Sequence, residues 1–332
     1  MKTIRMFAIC LVAVLLAAQV STSQDRKAGL TGAAFLKVGV GARAVALGTA
    51  VTALSGDVNQ MFYNPAGIAM TDQTLQATFN YNKWIADLGH SSAAVAYNWE
   101  GVGTIGVGFV TLGLSGIEAN RDYDPDLNNA LTPLTYDYRD LAIQVSFARY
   151  VIDQLSLGIT IKNVSESIDG ESTSALGFDF GSVYHVGVMD WTIAARFNNL
   201  GGDLKYYDIA SALPLQFTIG TAMKPINTDA TSIMVAVDAV KPQDGPLYFF
   251  SGVEYTVLDM IAFRGGYKFN YSGTSESPSL GSGEIDNTIE GLSLGAGIHT
   301  SFEDYRINVD YSYTKMQLLD NAHRFTVSIS MK

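Results

Sequence analysis

The sequence predicts an all-β chain: a 14-stranded antiparallel transmembrane β-barrel of the outer-membrane type, with a small N-terminal helical hatch in its lumen. Three observations predict it. Short segments alternating apolar with polar residues recur from about residue 74 to the end of the chain. An export-type leader stands ahead of them. The connections between segments alternate in length, the longest after odd-numbered segments and most of those after even-numbered ones only about two to four residues.

The segment from Asp304 to Thr314 carries the alternation most clearly. Tyr305, Ile307, Val309, Tyr311 and Tyr313 are separated by Arg306, Asn308, Asp310, Ser312 and Thr314. A strand sends successive side chains to opposite faces, so this segment has one oily wall and one wet wall. Leu155, Leu157, Ile159 and Ile161 repeat the pattern, as do Phe325, Val327, Ile329 and Met331. Strands are predicted near 74–84, 90–99, 102–112, 138–150, 155–166, 174–186 and 189–200. The second half predicts 214–223, 231–240, 247–257, 260–271, 289–300, 304–315 and 322–331.

Long connections fall at 113–137, 201–213 and 272–288. Short ones are Glu100-Gly101, 151–154, Gly187-Val188, Leu258-Asp259 and 301–303, with 224–230 as the exception. With both barrel ends in the periplasm, the long side is extracellular. Each unpaired backbone group in hydrocarbon costs several kcal/mol, so the sheet has to close on itself. Trp84, Trp99, Trp191, Tyr255, Tyr271, Tyr305 and Tyr313 stand at predicted strand ends, as an interfacial aromatic belt would.

Residues 1–23 read as a signal peptide. Lys2 and Arg5 precede an apolar run from Met6 to Ala18, and the small residues Ser21 and Ser23 follow. The single cysteine, Cys10, lies inside that leader, which excludes disulfides and cysteine chemistry from the exported chain. The net charge of -11, with no basic stripe, argues against nucleic acid as a partner. The barrel at 74–332 is expected to be non-enzymatic and to hold no cofactor.

Residues 24–73 lack the alternation. Ala42 to Leu54 is rich in Ala, Val and Leu, and Asp57 leads to the turn tetrapeptide Asn64-Pro65-Ala66-Gly67. One or two short helices here form a plug compact enough for a lumen about fourteen strands wide. The stretch Ala34 to Gly48, followed by Asp57 and Asn64 to Gly67, resembles the PorV/PorQ family, which is similar in fold to the FadL-type transporters. Trp84-Ile85-Ala86-Asp87 resembles that family's first-loop pattern. The resemblance implies an outer-membrane component of the type IX secretion system, with the translocon and cargo C-terminal domains as partners beside outer-membrane lipid. Carried over by position, it implies Asn64, Pro65, Ala66 and Gly67 as the hatch turn and Arg43 and Asp57 as its polar supports. Trp84, Ile85 and Asp87 would lie on an extracellular rim that meets partners.

Other motifs carry less. Gly39 to Ala44 spells a dinucleotide fingerprint, but no βαβ pattern follows it. Gly101 to Gly106 continues as a strand rather than a helix. Gly291-Leu292-Ser293-Leu294-Gly295 has the spelling of a nucleophile elbow without the strand-to-helix turn. Asp122, Asp124 and Asp126 have calcium-loop spacing but lack the glycine and glutamate of an EF-hand. His90, His185, His299 and His323 share no ligand spacing, so no metal site is expected. Inward-facing charges at Asp238, Arg264, Lys268, Arg306, Asp310 and Arg324 point to a hydrated lumen with mutually neutralising pairs.

The leading expectation is a secretion shuttle; the alternative is a FadL-like channel for small hydrophobic compounds. A continuous apolar pocket beside the hatch would favour uptake. A sealed lumen, with exposed apolar residues gathered near Trp84 and Ile85, would favour a protein partner.

Overall fold

The computed structural model describes residues 30–70, 73–119, 135–271, 290–316 and 319–332. The expected signal peptide and the acidic loop at 122–126 lie outside these residues. Sixteen strands are formed among the described residues. The first seven are β1 (Leu75–Lys83), β2 (Gly89–Trp99), β3 (Gly103–Glu118), β4 (Thr135–Ile152), β5 (Leu155–Ile168), β6 (Glu171–His185) and β7 (Thr192–Gly201). A small hairpin, β8 (Asp203–Tyr206) and β9 (Ile209–Ala212), stands apart. Then come β10 (Gln216–Asn227), β11 (Thr231–Pro242), β12 (Tyr248–Val257), β13 (Ile261–Phe269), β14 (Glu290–Phe302), β15 (Tyr305–Met316) and β16 (Ala322–Met331).

Fourteen of these strands close into an antiparallel barrel in chain order, with β7 pairing β10 across the hairpin. The seam is β1 against β16, in register from Leu75 opposite Met331 to Lys83 opposite His323. At one end, termed lower, the strands meet in short turns such as Asp153-Gln154 and Glu303-Asp304, and both β1 and the chain's end lie there. The longer connections, including the β8–β9 hairpin, crown the upper end.

The sequence pattern is the wall's inside-outside code. Val309 is 50% exposed while Asp310 beside it is 5% exposed, and Phe325 is 52% exposed beside Arg324 at 2%. Phe79, Val95, Val107, Ile143, Ile161, Phe263 and Val327 continue the outward apolar face around the ring. A soluble domain buries such residues and exposes the polar ones. An apolar girdle of this extent is stable only in contact with other apolar matter.

Several boundaries differ from those the alternation predicts. β3 and β4 run further at the upper end, to Glu118 and from Thr135. The apparent exception at 224–230 is mostly strand, because β10 continues to Asn227 through a register shift between Met223 and Ile226. Pro225 lies in that shift, and a residue with no N–H fits a bulge better than a regular ladder. The β8–β9 hairpin is too short for a period of two to stand out. Trp84 and Tyr271, expected in the outer belt, lie just beyond strand ends and turn inward, whereas Trp99 and Tyr305 do face outward, at 54% and 45% exposed.

Residues 30–70 fill the lumen. Their turns are 3-10 at Ala34–Lys37, Val58–Phe62 and Pro65–Met70, and α-helical at Ala42–Ala46. The segment starts at the upper end, where Thr31 bridges Ala212 and Gly32 N donates to Ala212 O at 3.0 Å. It descends to β1, which begins at the lower end. Small residues allow this close packing: Ala33, Ala42, Ala46, Ala50 and Ala66 are fully buried.

The wall is notched to receive the segment. A Cβ on Gly181 would stand 1.8 Å from Asn64 Oδ1, and one on Gly266 would stand 2.0 Å from Gly48 N. No side chain fits either place.

Candidate functional site

The lumenal segment separates two cavities. The upper one, of about 450 Å³, rests on Phe35, Val40 and Tyr63. One side is aromatic: Tyr271 meets Tyr248 edge-on at 5.0 Å and Phe250 at 5.7 Å between ring centroids. Lys268 Nζ lies 4.6 Å from the Tyr271 ring centre and bonds Glu290 Oε2 at 2.6 Å. Trp84 and Ile85 also line this cavity.

Its other charges come as pairs, with one exception. Lys162 Nζ meets Asp179 Oδ2 at 2.8 Å, and Lys37 is bonded to Asp244, which also accepts from Thr31 Oγ1 at 2.6 Å. Burial pushes the Asp244 carboxyl up, but the hydrogen bonds from Lys37 and Thr31 and the ammonium charge outweigh it and hold the group below the usual carboxylate range. Arg196 is the exception. Its guanidinium lies 5.4 Å above the Tyr63 ring and makes no ion pair among the described residues. Burial pushes the Tyr63 phenol up to about 12, so it stays a neutral donor to Val40 O at 2.8 Å.

The lower cavity, of about 430 Å³, is polar. Arg43 reaches from the Ala42–Ala46 helix to clasp Glu254 of β12 with Nε at 2.9 Å and Nη2 at 2.8 Å. Glu254 also accepts from Arg264 Nε at 2.5 Å, and Arg264 Nη1 reaches Asp310 at 2.5 Å. His299 lies 3.7 Å from Asp310, and Arg306 closes the series at the lower mouth with Asp259 at 2.9 Å. Burial opposes the Arg43 charge, but the field and hydrogen bonds of Glu254 outweigh it and hold the guanidinium well above its ordinary value.

The remaining expected site residues divide between anchors and linings. Asn64 donates to Thr52 O at 2.8 Å and to Ser182 O of β6 at 3.3 Å, while its Oδ1 accepts from Ala66 N at 3.2 Å. Gly67 N closes that turn on Asn64 O at 2.9 Å, and Ala66 O accepts from Ser156 Oγ of β5 at 3.0 Å. Pro65 starts the following 3-10 turn. Asp57 caps the turn at Val58–Phe62 through Asn59 N at 2.8 Å and stands 3.9 Å from Arg43. Asp238 forms no salt bridge among the described residues; instead its Oδ2 accepts from Val51 N, Thr52 N and Thr52 Oγ1 at 3.1, 3.1 and 2.6 Å. Arg324 likewise has no carboxylate partner among the described residues, bonding Thr314 Oγ1 at 3.0 Å beneath the Trp84 ring.

The three residues expected on a contact rim differ in their exposure. Only Asp87 is exposed at the top of β1, paired with Lys83 at 3.0 Å. Trp84 and Ile85 turn into the cavity, because the positive-φ residues Ala86 and Asp87 fold the connection back over the mouth.

Sequence reasoning passed over Glu254, Glu290, Lys162, Asp179 and Arg196. All face the lumen, and the alternation that marked Arg264 marks all but Glu290, which the register shift before Ser293 sets out of period. Tyr248 and Phe250 carried no such signal, because rings on an inward face break the oily-out, wet-in code.

No family model matches the chain, and no curated protein matches it. Solved structures do. The toluene transporter TbuX of Ralstonia pickettii is 14% identical, with a TM-score of 0.58 over 89% of this chain and 98% of that one. The toluene transporter TodX of P. putida is 12% identical, with a TM-score of 0.59 over the same shares. A FadL homologue from Pseudomonas aeruginosa is 14% identical, with a TM-score of 0.57, again over 89% and 98%. At these identities the likeness establishes a FadL-like barrel fold. None of these neighbours is a secretion component, and the type IX role has no support among them.

Proposed function

We propose that the chain is a non-enzymatic outer-membrane channel that takes up small hydrophobic compounds, with residues 30–70 acting as a hatch between an extracellular upper chamber and a periplasmic lower one. The outward apolar girdle suits lipid, and the short turns suit the periplasmic side. The observation that carries the reading is the aromatic-sided upper cavity of about 450 Å³ seated directly on the lumenal segment. That volume is in the range of small-molecule sites. The structural neighbours include proteins described as toluene transporters, which supports the same class of cargo here.

The two chambers are separated by packed side chains, so passage requires the segment to move. A disulfide staple tests this, since Cys10 is the only native cysteine. A Cβ at position 295 would lie 2.5 Å from Ala46 Cβ, so an Ala46→Cys/Gly295→Cys pair needs a shift of about an ångström to reach bridging distance. Cells carrying the oxidised pair should take up radiolabelled toluene no faster than deletion cells, and a reductant should restore the rate. Equal uptake by wild-type and deletion cells, of toluene and of 3-phenylpropionate alike, would refute the channel.

A further inference from the structure

We propose that the compound received in the upper cavity carries one anionic group, as a small aromatic acid does, and that Arg196 is the residue that binds it. This rests on the uptake reading and narrows its substrate class.

Four cations line the cavity: Lys37, Lys162, Arg196 and Lys268. Three are neutralised in place, by Asp244, Asp179 and Glu290. Arg196, only 4% exposed, has no hydrogen bond or ion pair among the described residues, and its Nε is a buried donor without a partner. The two carboxylates that attract it from further off are already engaged. Asp179 holds Lys162 and accepts from Asn199 N at 2.7 Å, and Asp238 Oδ2 holds the backbone of Val51 and Thr52. Asp238 Oδ1 is itself unpartnered, yet it does not come within ion-pair distance of Arg196. An unpaired buried charge is expensive to keep, and a ligand anion arriving through the cavity removes that expense.

The setting of Arg196 suits this task. The Tyr63 ring beneath it holds the guanidinium plane, as a cation over an aromatic face does. Two positions along the same face, Asn198 donates to Tyr63 O at 2.7 Å and leaves its Oδ1 free as an acceptor for a ligand hydroxyl or a water.

Distance then selects the body of the ligand. Arg196 is in register with Thr218, Thr218 with Val240, and Val240 with Tyr248. Arg196 and the first of the three rings are thus three strand spacings apart, or about 14 Å along the wall. Side chains reaching inward from both sides leave a gap spanned by an aromatic ring and a short acidic arm. A bare hydrocarbon would leave Arg196 unpaired.

Trp84 lines the same cavity and reports on it. In a Trp99→Phe/Trp191→Phe background it is the only tryptophan of the chain's three. The full chain in detergent is titrated with 3-phenylpropionate and with uncharged 3-phenylpropan-1-ol, following Trp84 fluorescence. The acid should bind about tenfold tighter than the alcohol. Arg196→Met should abolish that preference, read as the ratio of the two affinities, while Arg196→Lys should keep part of it. Equal affinity for the two probes in the unsubstituted Arg196 protein overturns the proposal even if Arg196→Met fails to fold, and leaves hydrocarbon uptake standing. Unaltered acid binding in Arg196→Met also overturns it.

Discussion

The two cavities divided by residues 30–70 are built on opposite plans. Above, aromatic rings share the lining with ion pairs that stand apart from one another. Below, charges join hand to hand from Arg43 through Glu254, Arg264 and Asp310 towards Arg306, with no comparable group of rings. One segment serves both, since Phe35 and Tyr63 form the upper floor and Arg43 enters the lower network. On the proposed reading the contrast separates receiving from holding: the upper compartment takes a guest, and the lower one fastens the partition.

The largest expected effect comes from breaking the fastening. Glu254→Gln leaves Arg43 and Arg264 facing each other without their shared carboxylate. A broken buried pair costs about 3–5 kcal/mol, so the urea midpoint in lipid vesicles should fall sharply. Planar bilayers holding this variant should pass a steady ionic current that the wild type does not. Wild-type stability with a silent bilayer would mean that the lower charges only fill space.

Gly181→Ala disturbs the partition from the wall side and touches no charge. Its methyl would collide with Asn64 Oδ1, which is tied to a turn that also holds Thr52 O. Overpacking of this kind costs about 1–3 kcal/mol. Trp84 emission should also shift if the upper floor depends on how the turn is seated, and an unchanged spectrum would uncouple the two.

The smallest effect belongs to Lys37 and Asp244. The carboxyl titrates lower in the folded chain than in the unfolded one, so its contribution is present above the unfolded value near ~3.9 and fades as pH falls through the folded value. Lys37 is 33% exposed, so Lys37→Met should lose under ~1 kcal/mol at pH 7. The gap between the two urea midpoints should narrow at about pH 3; a widening gap would give the pair the wrong sign.

How much of this was legible in the residues depends on where each one stands. Along strands, two-residue periodicity is a direct image of the wall, and every barrel strand can be read from it. It fails at Pro225, where a bulge interrupts the period, and at β8–β9, where four residues per strand show no period. The charged site residues were legible as inward positions, but their pairing was not. Glu254 and Arg264 are opposite each other on neighbouring strands, whereas Arg43 reaches the same carboxylate from 211 residues away along the chain. The inward turn of Trp84 was illegible because backbone conformation at Ala86 and Asp87, rather than side-chain character, directs it.

The path of residues 30–70, from beside Ala212 at one rim to Leu75 at the other, makes the chain a thread through its own hoop. The hoop is fastened by the zip between Leu75–Lys83 and Ala322–Met331, the earliest and latest strands to be synthesised. Laying the thread before that zip closes spares folded helical turns from being hauled through a finished ring. Insertion of this protein is thus an order-of-assembly problem, in which the inside must be dressed before the outside is buttoned.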